Sequence, residues 1–202
     1  RLRGPIYAVY ALLEEDLGLR WYAHSPEANR VPEQPTLTRG IVPRQFVPRL
    51  MIRDPFYSAA FEGTWSLRNR TNSPSASVPD EYGGHTTYAA FVHTVHTLVP
   101  PGENFEAHPE WYMMTGDGKR STHQLCMTHP GAIQAASEGA LKLLRANPSA
   151  RVISVSKTDG GQTCQCETCK ALDTAEGSEA ASNLFFVNQV AAAIEAEFPR
   201  VT

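Results

Sequence analysis

Val152-Ile-Ser-Val-Ser-Lys-Thr-Asp159-Gly-Gly-Gln-Thr-Cys164-Gln-Cys166-Glu-Thr-Cys169 decides the reading of this chain. Val152 to Ser156 has the short, nearly continuous apolar texture of a strand buried in a parallel sheet. Asp159 ends it, and Gly160-Gly161 lets the backbone turn sharply. Three of the four cysteines then fall within six residues. In α/β folds the carboxyl ends of strands are where binding loops and chemistry collect. This sulfur-rich loop with its carboxylate is therefore the first candidate for a site.

Reading outward, Ser178 can cap a last helix in which Leu184, Val187, Ala191, Ile194 and Phe198 share a face. Upstream, Thr128 to Ala146 reads as a helix, with Thr128 a candidate cap and Pro130 in the first turn. His123 to Met127 and the apolar part of Tyr88 to Val99 read as strands, with Pro101 to Met114 as a helix between them. Leu50 to Ile52 and Ser58 to Asn69 add a further strand and helix, and Asn69 to Gly84 a long loop. Strands alternating with helices imply parallel β/α units. Four of them make a half-barrel or a small doubly wound sheet, so the expected class is α/β. Nearer the start, Ile6, Val9, Tyr10, Leu13 and Leu17 form a helical stripe stopped by Gly18. Leu19 to Tyr22 follows as a short strand, and the Pro-rich stretch from Ser25 to Pro48 is a connection. Residues 1–40 thus read as the tail of an α+β domain and its linker, and 41–202 as the β/α part.

With 202 residues, 42% of them hydrophobic, the chain can bury a real core. A net charge of −3 without runs of like charge argues against a broad nucleic-acid or anionic-lipid surface. No apolar run reaches the roughly 18 residues of a membrane span. Nucleotide-binding glycine loops, a G-x-S-x-G elbow and H-E-x-x-H are all absent from the sequence.

Cys126, Cys164, Cys166 and Cys169 suit either two disulfides or one four-thiolate metal site, with structural zinc the natural ion. The C-x-C-x-x-C spacing is weaker than paired C-x-x-C knuckles and tilts the reading slightly to disulfides. Asp159 can orient a substrate group or move a proton, though Asp before Gly-Gly is also ordinary turn chemistry. His93 and His96, three apart on a strand, would face opposite sides, leaving one for a polar ligand. His108-Pro-Glu110-Trp111-Tyr112 sets titratable groups beside aromatic faces on which a sugar could pack, or which simply pack in the core. Glu176 precedes the last helix, where a carboxylate also suits the helix dipole. Asp117-Gly-Lys-Arg120 reads as a turn.

These strings together resemble a known family. They are Ile6-Tyr-Ala-Val-Tyr-Ala-Leu-Leu-Glu14, Leu17-Gly-Leu-Arg-Trp-Tyr22, His93-Thr, Leu98-Val-Pro-Pro101, His108-Pro-Glu-Trp-Tyr112, Gly118-Lys-Arg120, Gln124-Leu-Cys126, and Ser154-Val-Ser156 leading to Asp159 and the cysteines. The chain is similar over nearly its whole length to the bacterial domain-of-unknown-function 4838 group, which includes glycoside hydrolase family 163. The resemblance implies the N-terminal half of a (β/α)8 TIM-type barrel preceded by the tail of an α+β accessory domain, the rest of the barrel lying in a longer, secreted or cell-envelope protein. It implies an endo-β-N-acetylglucosaminidase acting on N-glycans of glycoproteins, with retention through the substrate's acetamido group and no required cofactor. One carboxylate would orient the acetamide and a second, protonated carboxyl would act as general acid. Asp159 is the candidate for one, and Glu110 or Glu176 for the other; His93, His96, Lys157 and Trp111 are candidate substrate contacts. The chain departs from the family pattern before Asp159, with Lys157-Thr158 where the resemblance implies Gln-Asn. A non-catalytic carbohydrate-binding relative, its loop held by the cysteines, is the alternative.

Overall fold

The computed structural model describes residues 3–40 and 43–202, which form two compact units meeting in sequence at Thr86/Thr87. The domain boundary expected at residue 41 lies outside the described residues.

In the first unit, α1 (Arg3–Ala11) runs into a π-helical turn (Leu12–Asp16), and Gly18 at φ +75° stops it. β1 (Arg20–Trp21) pairs antiparallel with β2 (Asn29–Arg30). The helix expected over Ser58 to Asn69 is split into a 3₁₀ turn (Ser58–Phe61) and α2 (Gly63–Arg68). Glu62 makes the break: its backbone is extended, and its carboxylate accepts from the Thr64 and Trp65 amides at 2.8 and 2.6 Å. Leu67, Ala76 and Val78 are buried against Ile6, Tyr7 and Tyr10. The strand expected at Leu50 to Ile52 does not form, and Leu50 and Met51 are exposed.

The second unit holds the main core. α3 (Val95–Leu98) and α4 (Pro101–Asn104) precede a hairpin of β3 (Tyr112–Met114) and β4 (Arg120–Leu125). α5 (Pro130–Ala146), α6 (Glu167–Ala175) and α7 (Ala181–Glu197) follow. The helix expected over Pro101 to Met114 stops at Asn104, and its last residues are β3. Pro109 restarts the chain as a 3₁₀ turn, and the Asp117-Gly118 turn folds the following residues back into a hairpin. β4 is therefore an antiparallel hairpin strand.

Parallel pairing does occur elsewhere in this unit. Tyr88 bridges Val152 in parallel, with Ala89 N donating to Val152 O at 2.9 Å and Ser154 N to Ala90 O at 3.0 Å. On the other side of the same segment, Thr202 N donates to Arg151 O and Ile153 N to Thr202 O, both at 3.0 Å. Arg151 to Ser154 is thus central between two neighbours. The expected strand from Tyr88 to Val99 is short, because Val92 and His93 adopt φ of +41° and +52° and turn the chain into α3.

α5 begins at Pro130 with His129 as its cap, not Thr128: the His129 ring accepts from the Gly131 amide at 3.1 Å. α7 buries Ser182, Phe186, Val190 and Ile194, and Leu184 is 58% exposed. The expected stripe had the wrong phase because α7 is apolar around most of its circumference, so apolarity alone does not fix which side faces inward. α6 was not anticipated. Tyr112, Met113, Leu125, Ala136, Ala140, Leu144, Phe186 and Val190 form the centre of the core.

Candidate metal centre and strand-end site

Four cysteines from three elements converge on one point. Cys126 follows β4, Cys164 and Cys166 lie in the loop after Asp159, and Cys169 sits in the first turn of α6. All four thiols are free, and their sulfurs lie within 4.8 Å of one another. Cys126 Sγ is 3.6 Å from Cys166 Sγ and 4.0 Å from Cys169 Sγ. Sulfurs bound tetrahedrally to zinc at about 2.3 Å stand about 3.8 Å apart, so the spacing suits one four-thiolate ion. The expected tilt toward disulfides does not match this arrangement, in which every sulfur faces the same centre. Three of the four cysteines are buried and Cys166 is half-buried.

The surroundings favour thiolate. Met114 N donates to Cys164 Sγ at 3.3 Å, and Thr128 Oγ1 lies 3.2 Å from Cys169 Sγ. The N-terminus of α6 adds its positive dipole end. Within the cluster, the Cys126 hydrogen bond holds the Cys164 thiol well below its ordinary pKa, while Cys126 is pushed up to about 11, mainly through its bond to Cys164. Cys169 is raised too, first by Cys126.

The second focus lies upstream of the cage. The Asp159 side chain is 94% exposed, and His93 Nε2 stands 3.2 Å from its Oδ2. His93 Nδ1 is 3.2 Å from the Lys157 carbonyl, so both ring nitrogens face oxygen acceptors. The ring is held there by the left-handed Val92-His93 pair. A β-branched residue at φ +41° is a costly conformation, of a kind that concentrates at functional sites. The adjacent Thr94 Oγ1 accepts from Ser156 N at 2.9 Å, tying this turn to the central segment.

Gln124 fixes the other side. Its Nε2 donates to the Thr158 carbonyl at 3.0 Å and its Oε1 accepts from Thr158 N at 3.1 Å, so a buried side-chain amide replaces a strand partner. Thr158 Oγ1 also donates to the His123 carbonyl at 2.9 Å. Replacing Gln124 with alanine is expected to cost about 1–3 kcal/mol by leaving these Thr158 groups unmatched, read as a lower urea midpoint with unchanged slope. Gln124 was visible in the sequence only as part of Gln124-Leu-Cys126, with no pattern marking its amide as structural.

Other expected residues lie in different settings. His96 is in α3, its Nε2 2.7 Å from the Thr122 carbonyl. Glu110 lies 3.3 Å from His108 Nδ1, and its own backbone amide, then His108, hold its carboxyl below the usual range. That suits an acceptor better than a proton donor. Trp111 is stacked on the His108 ring at 4.0 Å and 3°, so one aromatic face is already covered. Glu176 is the exposed residue that caps the C-terminus of α6 and not a first-turn carboxylate of α7. Neither Glu110 nor Glu176 is bonded to the Asp159 loop.

No helix among the described residues is long and apolar enough to cross a membrane. No curated protein and no solved structure matches the chain. A family match does extend over residues 22–202, from just after β1 through the hairpin, the four-cysteine cage and α7. The chain belongs to the family described as Domain of unknown function (DUF4838).

Proposed function

We propose that this chain is part of a glycoside hydrolase-like protein acting on N-acetylglucosamine-containing glycans, with a structural zinc on Cys126, Cys164, Cys166 and Cys169 steadying the loop after Asp159. One observation carries the reading: Asp159 offers a solvent-open carboxylate at the end of the central segment, held by a histidine from a strained turn. Such a carboxylate can accept a hydrogen bond from an acetamide N–H and so orient that group for attack on its own anomeric carbon. The likeness of the sequence motifs to glycoside hydrolase family 163 supports the substrate class. Parallel pairing of 87–90 and of Thr202 with 151–154, with α5 and α7 in the connections, supports assigning this unit to the first half of a (β/α)8 barrel.

The zinc would supply no reaction step. It would join β4, the Asp159 loop and α6, whose cysteines are about 40 residues apart in sequence.

A second reading, carbohydrate binding without turnover, is favoured by the carboxylate geometry. Asp159 is paired with His93, while Glu110 is paired with His108. Incubating the protein with a complex-type N-glycoprotein separates the two. Glycan release that leaves one N-acetylglucosamine on the acceptor, reduced at least about 100-fold in Asp159→Asn, supports catalysis. Binding of the glycan without release supports the second reading, and neither binding nor release refutes both.

A further inference from the structure

A narrow crevice lies beside the cage, between Gln124, Lys157, Gln162, Cys164, Glu179 and Asn183. It opens to solvent, and its floor admits a group about the size of one water molecule. One polar atom of its lining is both buried and unmatched. The Asn183 Oδ1 atom is buried and accepts no hydrogen bond. Among the described residues, the half-buried Lys157 and the exposed Gln162 and Glu179 make no side-chain hydrogen bond or ion pair within the protein and present their polar ends to solvent at the rim. Lys157 and Glu179 face one crevice without pairing with each other.

Buried polar atoms without partners are rare in native proteins and call for a ligand or an ordered water. Here donors and acceptors are mixed and the opposite charges nearly cancel, which excludes a site tuned for an anion. A neutral group that both donates and accepts is what fits. A sugar hydroxyl is such a group, and the narrow floor takes one edge of a ring and not its face.

We infer that this crevice is a subsite for the hydroxyl edge of a neutral sugar, with Lys157 donating, Glu179 and Asn183 accepting and Gln162 closing the rim. The inference rests on the carbohydrate reading above and extends it to residues other than Asp159. It also gives a role to Lys157, one of the two places where this chain departs from the pattern its resemblance implies.

The test is saturation-transfer NMR and calorimetric titration of the protein with N-acetylglucosamine, and with glucuronate as an acidic counterpart. Lys157→Met and Glu179→Gln are each expected to weaken N-acetylglucosamine binding about tenfold, the loss of one charge-assisted hydrogen bond. Both positions are at least partly open, so melting curves should match the parent; Asn183→Ala gives a third, uncharged probe. Glucuronate should bind no more tightly than the neutral sugar, because Lys157 and Glu179 offset each other's pull on a carboxylate. Tighter glucuronate binding would overturn the inference in favour of an anion site. Unchanged N-acetylglucosamine affinity in all three variants would overturn the crevice but leave the glycan reading standing, provided that Asp159→Asn still abolishes release. Absence of any sugar binding by the parent protein would overturn both.

Discussion

Replacing Cys169 with serine is expected to abolish metal binding at the proposed zinc site and to lower the stability of the 87–202 unit by about 3 kcal/mol or more. Cys169 is fully buried, lies 3.2 Å from the Thr128 hydroxyl and faces Cys126 across 4.0 Å. A serine oxygen is shorter and harder than a thiolate and leaves a soft ion with three sulfur ligands. The cage also closes a long loop, because Cys126 and the 164–169 segment are far apart in sequence and meet only here. Losing that closure frees the loop after Asp159 and the first turn of α6 together. Metal analysis of the purified protein should find about one zinc per chain in the parent and almost none in the variant, with a matching fall in melting temperature. A strong chelator should reproduce that fall in the parent and leave the variant unchanged. A parent protein with four titratable thiols, no metal and full stability would show that the cage is only a packed sulfur cluster.

The sequence exposed the ingredients of this site better than their arrangement. The run Val152 to Ser156, its terminal Asp159 and the cysteine-rich loop could be picked out because apolar runs and cysteines are rare, local signals. Convergence of the four sulfurs could not be read, since the position of Cys126 depends on the register of the β3–β4 hairpin. That hairpin was itself hidden: Tyr112-Met-Met114 suits a helix or a strand by composition, and only Pro109 and the Asp117-Gly118 turn settle which. The sequence puts His93 and His96 on one strand because nothing in Phe91-Val-His-Thr94 announces two left-handed residues in succession. Such backbone is imposed by tertiary contacts, here the His93 contacts to Lys157 and Asp159 and the Thr94 bond to Ser156. The α7 phase failed for the opposite reason: too many apolar residues, where the stripe needs contrast.

Gly139→Ala is the sharpest test of the packing beneath the site, because its expected sign opposes helix propensity. Gly139 lies in the middle of α5, where alanine is ordinarily worth about 1 kcal/mol more than glycine. A Cβ at this position, however, would lie 2.2 Å from the Leu98 carbonyl oxygen and 2.9 Å from its carbon. Both are backbone atoms at the end of α3, so no side-chain rotation relieves the clash; α3 and α5 must move apart. The expected result is a net loss of about 2 kcal/mol or more, in urea or thermal unfolding. Gly102→Ala in α4 is the control: nothing lies near its Cβ, so the change should be neutral or slightly stabilising. The displacement should also reach the strand end. α3 begins directly after Thr94, whose hydroxyl holds Ser156, and carries His96, which contacts the Thr122 carbonyl. On the carbohydrate reading proposed above, glycan binding or release should therefore fall in Gly139→Ala under conditions where it is still folded, and stay unchanged in Gly102→Ala. A stabilised Gly139→Ala would mean that α3 does not rest on α5 at this glycine, and the path from the core to the Asp159 loop would have to run through Gln124 alone.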